Sequence, residues 1–366
     1  MRKILVFFLS IAFMTGIIVG KLEASEGKTV TVTDMAKRTV VVPFDPQRII
    51  ALSSGTLRLI TYLQATDRLV GIEDFEKARS FARPYIIAHQ ELTRLPRIGP
   101  GGPGTINKEP DLEAVLQLKP DVIFISYMET RNADDLQKKI GIPVVVLTHG
   151  RFASFDELVY DSLRVAGKIL NKEKRADEVI AFIENSRKDL ATRTTGIDDS
   201  TKPEVYIGAI GYKGVQGIES TDASYTPLEW IGANNIAKKI TDKKEHLFVD
   251  KEQLLTLNPS IIFVDGGGLT LIKQDIAKRP DYYKGLKAFN DKKVYVLYPF
   301  NYYVTNVDTA IADAYAAGKI LYPEKFKDVD LPQKADEIYT FLVGKPVYAE
   351  MTKDFGPLGA VADFGL

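Results

Sequence analysis

The sequence predicts an α/β fold with two lobes of similar topology on either side of a long helical stretch. Helical and strand-like apolar segments alternate in both halves of the chain, which is typical of mainly parallel sheets covered on both faces. One helix–Pro–strand unit recurs, because DLEAVLQLKPDVIFIS at 111–126 matches DKEQLLTLNPSIIFVD at 250–265 at seven of sixteen positions. Between these units, residues 154–192 lack proline and space their apolar side chains as a helix does.

The N-terminal half begins with two alternating segments that predict a hairpin, at 29–33 and 39–42. Apolar runs such as DVIFIS and PVVVLT, bounded by turn residues, then predict buried strands. Strands are predicted at 48–52, 68–72, 121–126 and 143–148, and helices at 56–64, 111–118 and 134–140.

The C-terminal half repeats this alternation after a polar segment at 194–202. Strands are predicted at 204–210, 260–265 and 293–297, and helices at 227–239, 251–257, 308–321 and 332–342. We therefore divide the chain into an N-terminal lobe, a linking helix, a C-terminal lobe and a tail, at 25–152, 153–195, 196–343 and 344–366. Gly167 is the one glycine inside the helical stretch and could split it, and the tail either packs on a lobe or stays loose.

Residues 1–24 have the pattern of a cleavable secretory signal. Arg2 and Lys3 precede an apolar run, and Leu22 and Ala24 form a −3/−1 cleavage pair. The alternative is an uncleaved anchor, although the run of roughly 16 residues is short for a membrane span. The chain has no cysteine, so no lipid can be attached after this segment. We expect a soluble protein in the periplasm.

The composition excludes several classes of function. The chain has 48 Lys and Arg against 48 Asp and Glu, and this neutral balance disfavours nucleic-acid binding. The absence of cysteine removes disulfides, thiolate metal sites and cysteine nucleophiles. With three histidines, a His-rich cage for a bare divalent metal is not expected.

Four stretches of the sequence carry a resemblance to a known family. They are RIIALSSGTLRLITYLQATDRLVGI at 48–72, RIGPGGPGTINKEPDLEAVLQLKPDVIFIS at 97–126, YKGVQGIESTDASYTPLEWIGANNIA at 212–237 and VYVLYPFNYYVTNVDTAIADAYAAGKILYPEKF at 294–326. In this order they resemble the periplasmic substrate-binding proteins of iron-chelate and cobalamin importers of the ATP-binding-cassette (ABC) class. The resemblance implies two lobes joined by a rigid helix, with a ligand bound between them and delivered to a membrane permease driven by an ATPase. It also implies a monomer that binds and does not catalyse.

Ligands of open α/β sheets lie beyond the carboxyl ends of the strands, and here aromatic, glycine and cationic residues follow the predicted strands. The candidate ligand-binding residues are Ser54, Arg97, Tyr127, His149, Arg151, Tyr212, Tyr225, Tyr302 and Tyr303. This composition suits a bulky, partly flat ligand that carries negative groups. The alternatives are packing in the core or between the lobes for the tyrosines and a solvated surface position for the arginines.

Two further residues are candidates for permease docking. In the family that the chain resembles, an acidic residue on each lobe commonly contacts the permease. The matching position in the first lobe is Arg58 here, which puts the standard salt bridge in doubt. Glu229, in the predicted helix at 227–239, is the candidate in the second lobe, and an ordinary solvated helix charge is the alternative.

The first functional hypothesis is an extracytoplasmic protein that binds an iron chelate of the siderophore type and has no intrinsic cofactor. Haem or a corrinoid is the alternative in the same class, with a tyrosine or His149 as a possible iron ligand. Free ferric iron on tyrosinates is a further possibility, so the metal ligands stay open. A secreted two-lobed enzyme is a remote alternative, since the chain contains no GxSxG or HExxH motif. An adhesion or sensory module would need a further domain or anchor.

Overall fold

The computed structural model describes residues 28–78, 81–150, 155–241, 243 and 245–365. The strands are β1 Thr29–Thr33, β2 Thr39–Pro43, β3 Ile49–Leu52, β4 Val122–Ser126, β5 Val144–Leu147, β6 Glu204–Gly208, β7 Ser220–Asp222, β8 Asn234–Asn235, β9 His246–Phe248, β10 Ile261–Asp265 and β11 Val294–Leu297. The helices are α1 Thr56–Tyr62, α2 Asp74–Lys77, α3 Pro84–Ala88, α4 Leu112–Gln117, α5 Thr130–Ile140, α6 Leu158–Ile169, α7 Glu173–Thr194, α8 Thr226–Trp230, α9 Lys251–Leu257, α10 Leu269–Lys278, α11 Pro280–Lys284, α12 Lys287–Asn290, α13 Val307–Leu321, α14 Leu331–Val343 and α15 Tyr348–Phe355.

Two of the sequence predictions lie outside these residues, namely the signal segment at 1–24 and the ligand contact at Arg151. Within the described ranges, no helix has the length and apolar character needed to cross a membrane.

The N-terminal lobe is built on a parallel sheet in the order β3-β4-β5, with the antiparallel hairpin β1–β2 beside it. The three central strands are buried along their whole length, as expected for apolar runs covered on both faces. The predicted strand at 68–72 is reduced to single parallel bridges, from Leu69 to Ile49 and from Ile72 to Arg97.

The C-terminal lobe contains a parallel sheet in the order β11-β10-β6-β8 and a separate antiparallel ribbon, β7–β9. The repeated unit of the sequence is α4–β4 in one lobe and α9–β10 in the other, and both helices begin in the same way. Asp111 accepts a hydrogen bond from the backbone N–H of Ala114, and Asp250 accepts one from Gln253. The α/β class with mainly parallel sheets is thus confirmed.

The helical stretch between the lobes consists of two helices, α6 and α7. The break lies at Asn171, whose backbone is left-handed, and not at Gly167. Gly167 instead allows close packing of the two helices, since a Cβ there would lie 3.0 Å from the Cβ of Ala176. Helix α6 packs on β1, whereas α7, which is about 33 Å long, contacts α8 and α13. The lobe boundaries drawn from the sequence stay a prediction.

The C-terminal part departs from the sequence prediction at one helix and decides between the two alternatives left open for the tail. Helix α14, predicted to belong to the C-terminal lobe, also packs on α1 and α3 of the N-terminal lobe. The tail packs back on the protein: it forms α15, and then its backbone pairs with the free edge of β11, where Val296 donates to Ala360 at 3.0 Å and Ala362 donates to Val294 at 2.8 Å.

The helix predicted at 227–239 is also shorter than expected. It ends after the five residues of α8, and Gly232 with a positive φ turns the chain into β8.

Candidate functional site

The carboxyl ends of the two sheets face each other, and the backbone there is unusual. Ser53 follows β3, Tyr127 follows β4, and Ala209 follows β6, each with φ between 57° and 66°. Residues other than glycine rarely adopt this left-handed conformation, and where several such residues come together they can mark a functional site. The facing strand ends are therefore the candidate site.

A loop of the C-terminal lobe, residues 298–306, crosses this interface; we call it the crossing loop. The hydroxyl oxygen of Tyr303 accepts a hydrogen bond from the N–H of Gly102 at 2.9 Å and lies 3.4 Å from Oε2 of Glu73. The Tyr303 ring packs on Phe75, with ring centroids 4.2 Å apart. Tyr303 and Val304 both have left-handed backbones, which for a β-branched valine is a strained conformation.

Arg58 of α1 binds the crossing loop from the N-terminal lobe. Its side chain is fully buried, and its guanidinium donates to Oδ1 of Asn306 at 2.8 Å and to the carbonyl oxygens of Thr305 and Tyr303 at 2.8 and 2.9 Å. One helical turn further, the Tyr62 hydroxyl donates to Oδ2 of Asp308 at 2.9 Å. The prediction that Arg58 docks on a permease is wrong, because this buried guanidinium is bonded between the lobes.

His149 follows β5 and is buried between Gly55 and the crossing loop. Burial, reinforced by the positive charge of Arg58, lowers the pKa of His149 to about 3, so the ring is neutral at physiological pH. The backbone of Gly55 opposes this shift, but neither ring nitrogen has a hydrogen-bond partner of ordinary geometry in the described part of the chain. Gly55 has φ +81°, and a Cβ at this position would overlap the imidazole.

Glu73 is the functional candidate that the sequence analysis missed. It follows the predicted strand at 68–72, as the other candidates follow theirs, and this position was the signal that could have found it. Its side chain is 6% exposed and accepts the N–H of Ser53 at 3.1 Å. Burial raises the pKa of this carboxyl to about 7. Beside it lies a cavity of about 10 Å³, enough for one water molecule, under the glycine-rich loop at 99–105.

Other predicted residues lie at the same interface. The carbonyl of Ser54 accepts the Ser126 hydroxyl at 2.6 Å. The hydroxyl of Tyr127 points to the Gly150 carbonyl at 3.4 Å, and burial raises its pKa to about 12. Tyr302 packs edge-on against Phe81 at 5.4 Å.

Tyr225 lies deeper, in the C-terminal lobe. It is buried and packs edge-on against Phe300 of the crossing loop, with ring centroids 5.2 Å apart. Burial, together with Asp313, Asp265 and Asp222, raises the pKa of its hydroxyl well above the usual value. This hydroxyl has no hydrogen-bond partner among the described residues.

The structure does not bring Arg97 and Tyr212 into this group. Arg97 is 47% exposed, and its guanidinium is occupied by Asp74 at 2.7 Å and Asp111 at 2.8 Å. The Tyr212 ring stacks on His246 of the ribbon β7–β9, with centroids 4.2 Å apart. A ligand contact by either residue stays a prediction.

Glu229 lies on the surface of the C-terminal lobe and pairs with Lys238. Both side chains line a charged depression of about 490 Å³ that also includes Lys202 and Asn234. The role of Glu229 in docking to a permease stays a prediction. In the described ranges, no group of three or more His, Asp or Glu side chains is arranged to hold a metal ion.

Comparison with known proteins places this geometry in a family. A family model described as periplasmic binding protein matches residues 49–299. The molybdate-binding protein MolA of Haemophilus influenzae is 25% identical over 329 residues, covering 84% of this chain and 89% of that protein. The Fe(3+)-citrate-binding protein YfmC of Bacillus subtilis is 26% identical over 272 residues, covering 74% and 79%.

Two solved structures share the fold. A periplasmic solute-binding protein from Veillonella parvula superposes with a TM-score of 0.71 at 20% identity, covering 90% of this chain and 97% of that one. MolA with bound molybdate superposes with a TM-score of 0.67 at 22% identity, covering 87% and 98%. Since the family model spans more than half of the sequence, the chain belongs to the periplasmic binding protein family.

Proposed function

We propose that the protein is the substrate-binding component of an ABC importer and captures a compact, anionic metal species between its lobes. The observation that most supports this proposal is the buried charge of Arg58. In the described part of the chain, no carboxylate lies within ion-pair distance of this guanidinium, and its three hydrogen bonds go to uncharged oxygens. The buried carboxyls of Glu76 and Asp308 interact with this charge from a greater distance, yet its positive potential still reaches His149 at the facing strand ends, which favours an anion there.

A ferric chelate of the citrate or siderophore type is the first candidate ligand. The aromatic side chains at the strand ends and the charge of Arg58 support it, and YfmC is a relative that binds ferric citrate. Molybdate is the second candidate. MolA, which binds it, aligns over most of the chain.

Titration calorimetry with ferric citrate, sodium molybdate, haem and cyanocobalamin tests this proposal. We expect saturable 1:1 binding of ferric citrate or molybdate. The visible spectrum of the protein purified from its native host is the complementary measurement: an iron chelate gives a broad charge-transfer band, whereas a Soret band means haem. Binding of haem or cobalamin alone would contradict the proposal, and so would an absence of binding to all four compounds.

We also propose that the protein acts as an exported monomer, without catalytic turnover, and delivers its ligand to a permease and its ATPase. The signal-like segment at 1–24 supports export. Mass spectrometry of the protein from the periplasmic fraction should give a mature chain that begins near Ser25. A chain that retains its first 24 residues in the membrane fraction would favour the uncleaved anchor.

A further inference from the structure

The Tyr303 hydroxyl joins two groups of the N-terminal lobe that a ligand could use. Its oxygen accepts a hydrogen bond from the N–H of Gly102, so its own proton points to Oε2 of Glu73, 3.4 Å away. The same oxygen of Glu73 accepts the N–H of Ser53. The phenol oxygen therefore occupies a position between a backbone donor and a buried carboxylate.

An anionic ligand could not replace this phenol unchanged. An oxygen of molybdate or of a metal-bound carboxylate can accept the Gly102 N–H, but it carries no proton to donate to Glu73. Two facing oxygens without a proton between them repel each other in a buried site. We propose that Glu73 is a specificity-determining ligand contact that takes up one proton when an anionic oxygen replaces the Tyr303 phenol. This inference rests on the proposed function.

The local backbone is suited to such a replacement. The crossing loop holds Tyr303 and Val304 in left-handed conformations, which are costly to maintain and are relieved if the loop withdraws. On the opposite side, Gly101 and Gly102 have positive φ values, and a Cβ on Gly101 would lie 2.7 Å from the Cβ of Glu73. The glycine-rich loop can thus approach the carboxyl closely, and the small cavity beside Glu73 lies between them.

Among the residues that the structure describes, no cation is bonded to the carboxyl of Glu73. On its own helix, Asp74 is paired with Arg97 and Glu76 with Arg83, and both acids raise the pKa of Glu73 further. From the crossing loop it meets the Tyr303 hydroxyl, and from β3 the Ser53 N–H.

Two more charged residues line the cavity on the far side, Lys108 and Glu109, and the second of these is paired with Lys139. Because burial raises the pKa of Glu73 to about 7, a proton is available to it near neutral pH.

Calorimetry in pairs of amine buffers that differ in ionisation enthalpy measures the proton uptake directly. The probes are sodium molybdate and ferric citrate, and the proteins are wild type, Glu73→Gln and the matched control Asp74→Asn, whose side chain is exposed on the same helix. For wild type we expect uptake to rise from near zero at about pH 6 to about one proton at about pH 8.5, with affinity falling about tenfold per pH unit above the pKa. Asp74→Asn should reach the same uptake at a somewhat lower pH, because Asp74 raises the pKa of Glu73. Glu73→Gln should bind without this uptake, because its amide carries its own donor.

Each outcome decides the inference. Binding with no proton uptake by wild type at the higher pH overturns it while the proposed function stands, and so does equal uptake by wild type and Glu73→Gln. An absence of binding to both probes at every pH overturns the inference and the proposed function together. If Glu73→Gln fails to fold, wild type and Glu73→Asp, which keeps a titrating carboxyl, still test the inference. Proton uptake by both at the higher pH supports it, and binding without uptake by either overturns it.

Discussion

Replacing Arg58 by methionine removes the buried charge that bonds the two lobes. Methionine keeps most of the volume of the side chain but leaves Oδ1 of Asn306 and the carbonyls of Thr305 and Tyr303 without their donor. It also removes a cation above the Tyr85 ring, 5.0 Å from its centroid. The substitution therefore tests whether the crossing loop depends on this one guanidinium.

The size of the effect follows from these contacts. Each buried acceptor left without a donor costs about 1–3 kcal/mol, and with partial relaxation of the loop we take about 3–5 kcal/mol for the three together. A chain of roughly 340 folded residues has an unfolding entropy of about 0.7 kcal/mol/K at its midpoint, so we expect Tm to fall by about 4–7 °C.

Thermal unfolding followed by circular dichroism measures this change. Arg97→Met is the matched control, because Arg97 also holds two partners, Asp74 and Asp111, but is largely in solvent. We expect a much smaller decrease for Arg97→Met. Equal decreases for the two variants would refute the idea that Arg58 is an interlobe anchor.

Three further predictions concern the same interface and the C-terminal segment. His149→Gln should lose less stability on acidification than wild type. The pKa of His149 is about 3 in the folded protein and about 6.5 in the unfolded chain, so on acidification the unfolded state binds the proton first. This lowers the free energy of unfolding of wild type by about 2 kcal/mol at about pH 5, which urea unfolding measures. A flat wild-type profile would contradict this. Gly55→Ala should lower the urea midpoint more than Gly141→Ala. Both glycines have positive φ, but an added Cβ would overlap His149 at Gly55 and would meet open space at Gly141. Equal midpoints for the two variants would contradict this prediction. Removal of residues 344–366 should destabilise the protein by at least about 5 kcal/mol. The truncation exposes the apolar surface that Met351 and Phe355 cover, and it leaves the edge of β11 unpaired. An unchanged Tm would show that the tail is dispensable.

The sequence predicted those parts of the fold that depend on local patterns. The runs VIFIS of β4 and IIFVD of β10 are apolar and bounded by turns, so their burial and parallel pairing could be expected. The strand ends also indicated His149 and Tyr303, which lie where the two lobes meet, and their contact with a ligand stays a prediction.

Contacts between distant parts of the chain could not be read in this way. Arg58 bonds residues almost 250 positions away, and its apolar neighbours Leu57 and Leu59 do not indicate those partners. The tail pairs with β11 through backbone groups of residues more than 60 positions away, as between Val296 and Ala360, and a short apolar alternation does not indicate which strand edge it will join. The altered pKa of Glu73 arises from burial under the glycine-rich loop, which depends on tertiary packing.

Hydrogen–deuterium exchange of the full protein, with and without saturating ferric citrate or molybdate, tests most directly whether the ligand binds between the lobes. We predict changed exchange in three segments: 53–55 and 99–105 on the N-terminal lobe, and the crossing loop at 298–306 on the other. Changes confined to the surface depression around Lys202 and Lys238, or an exchange pattern that neither compound alters, would contradict the account.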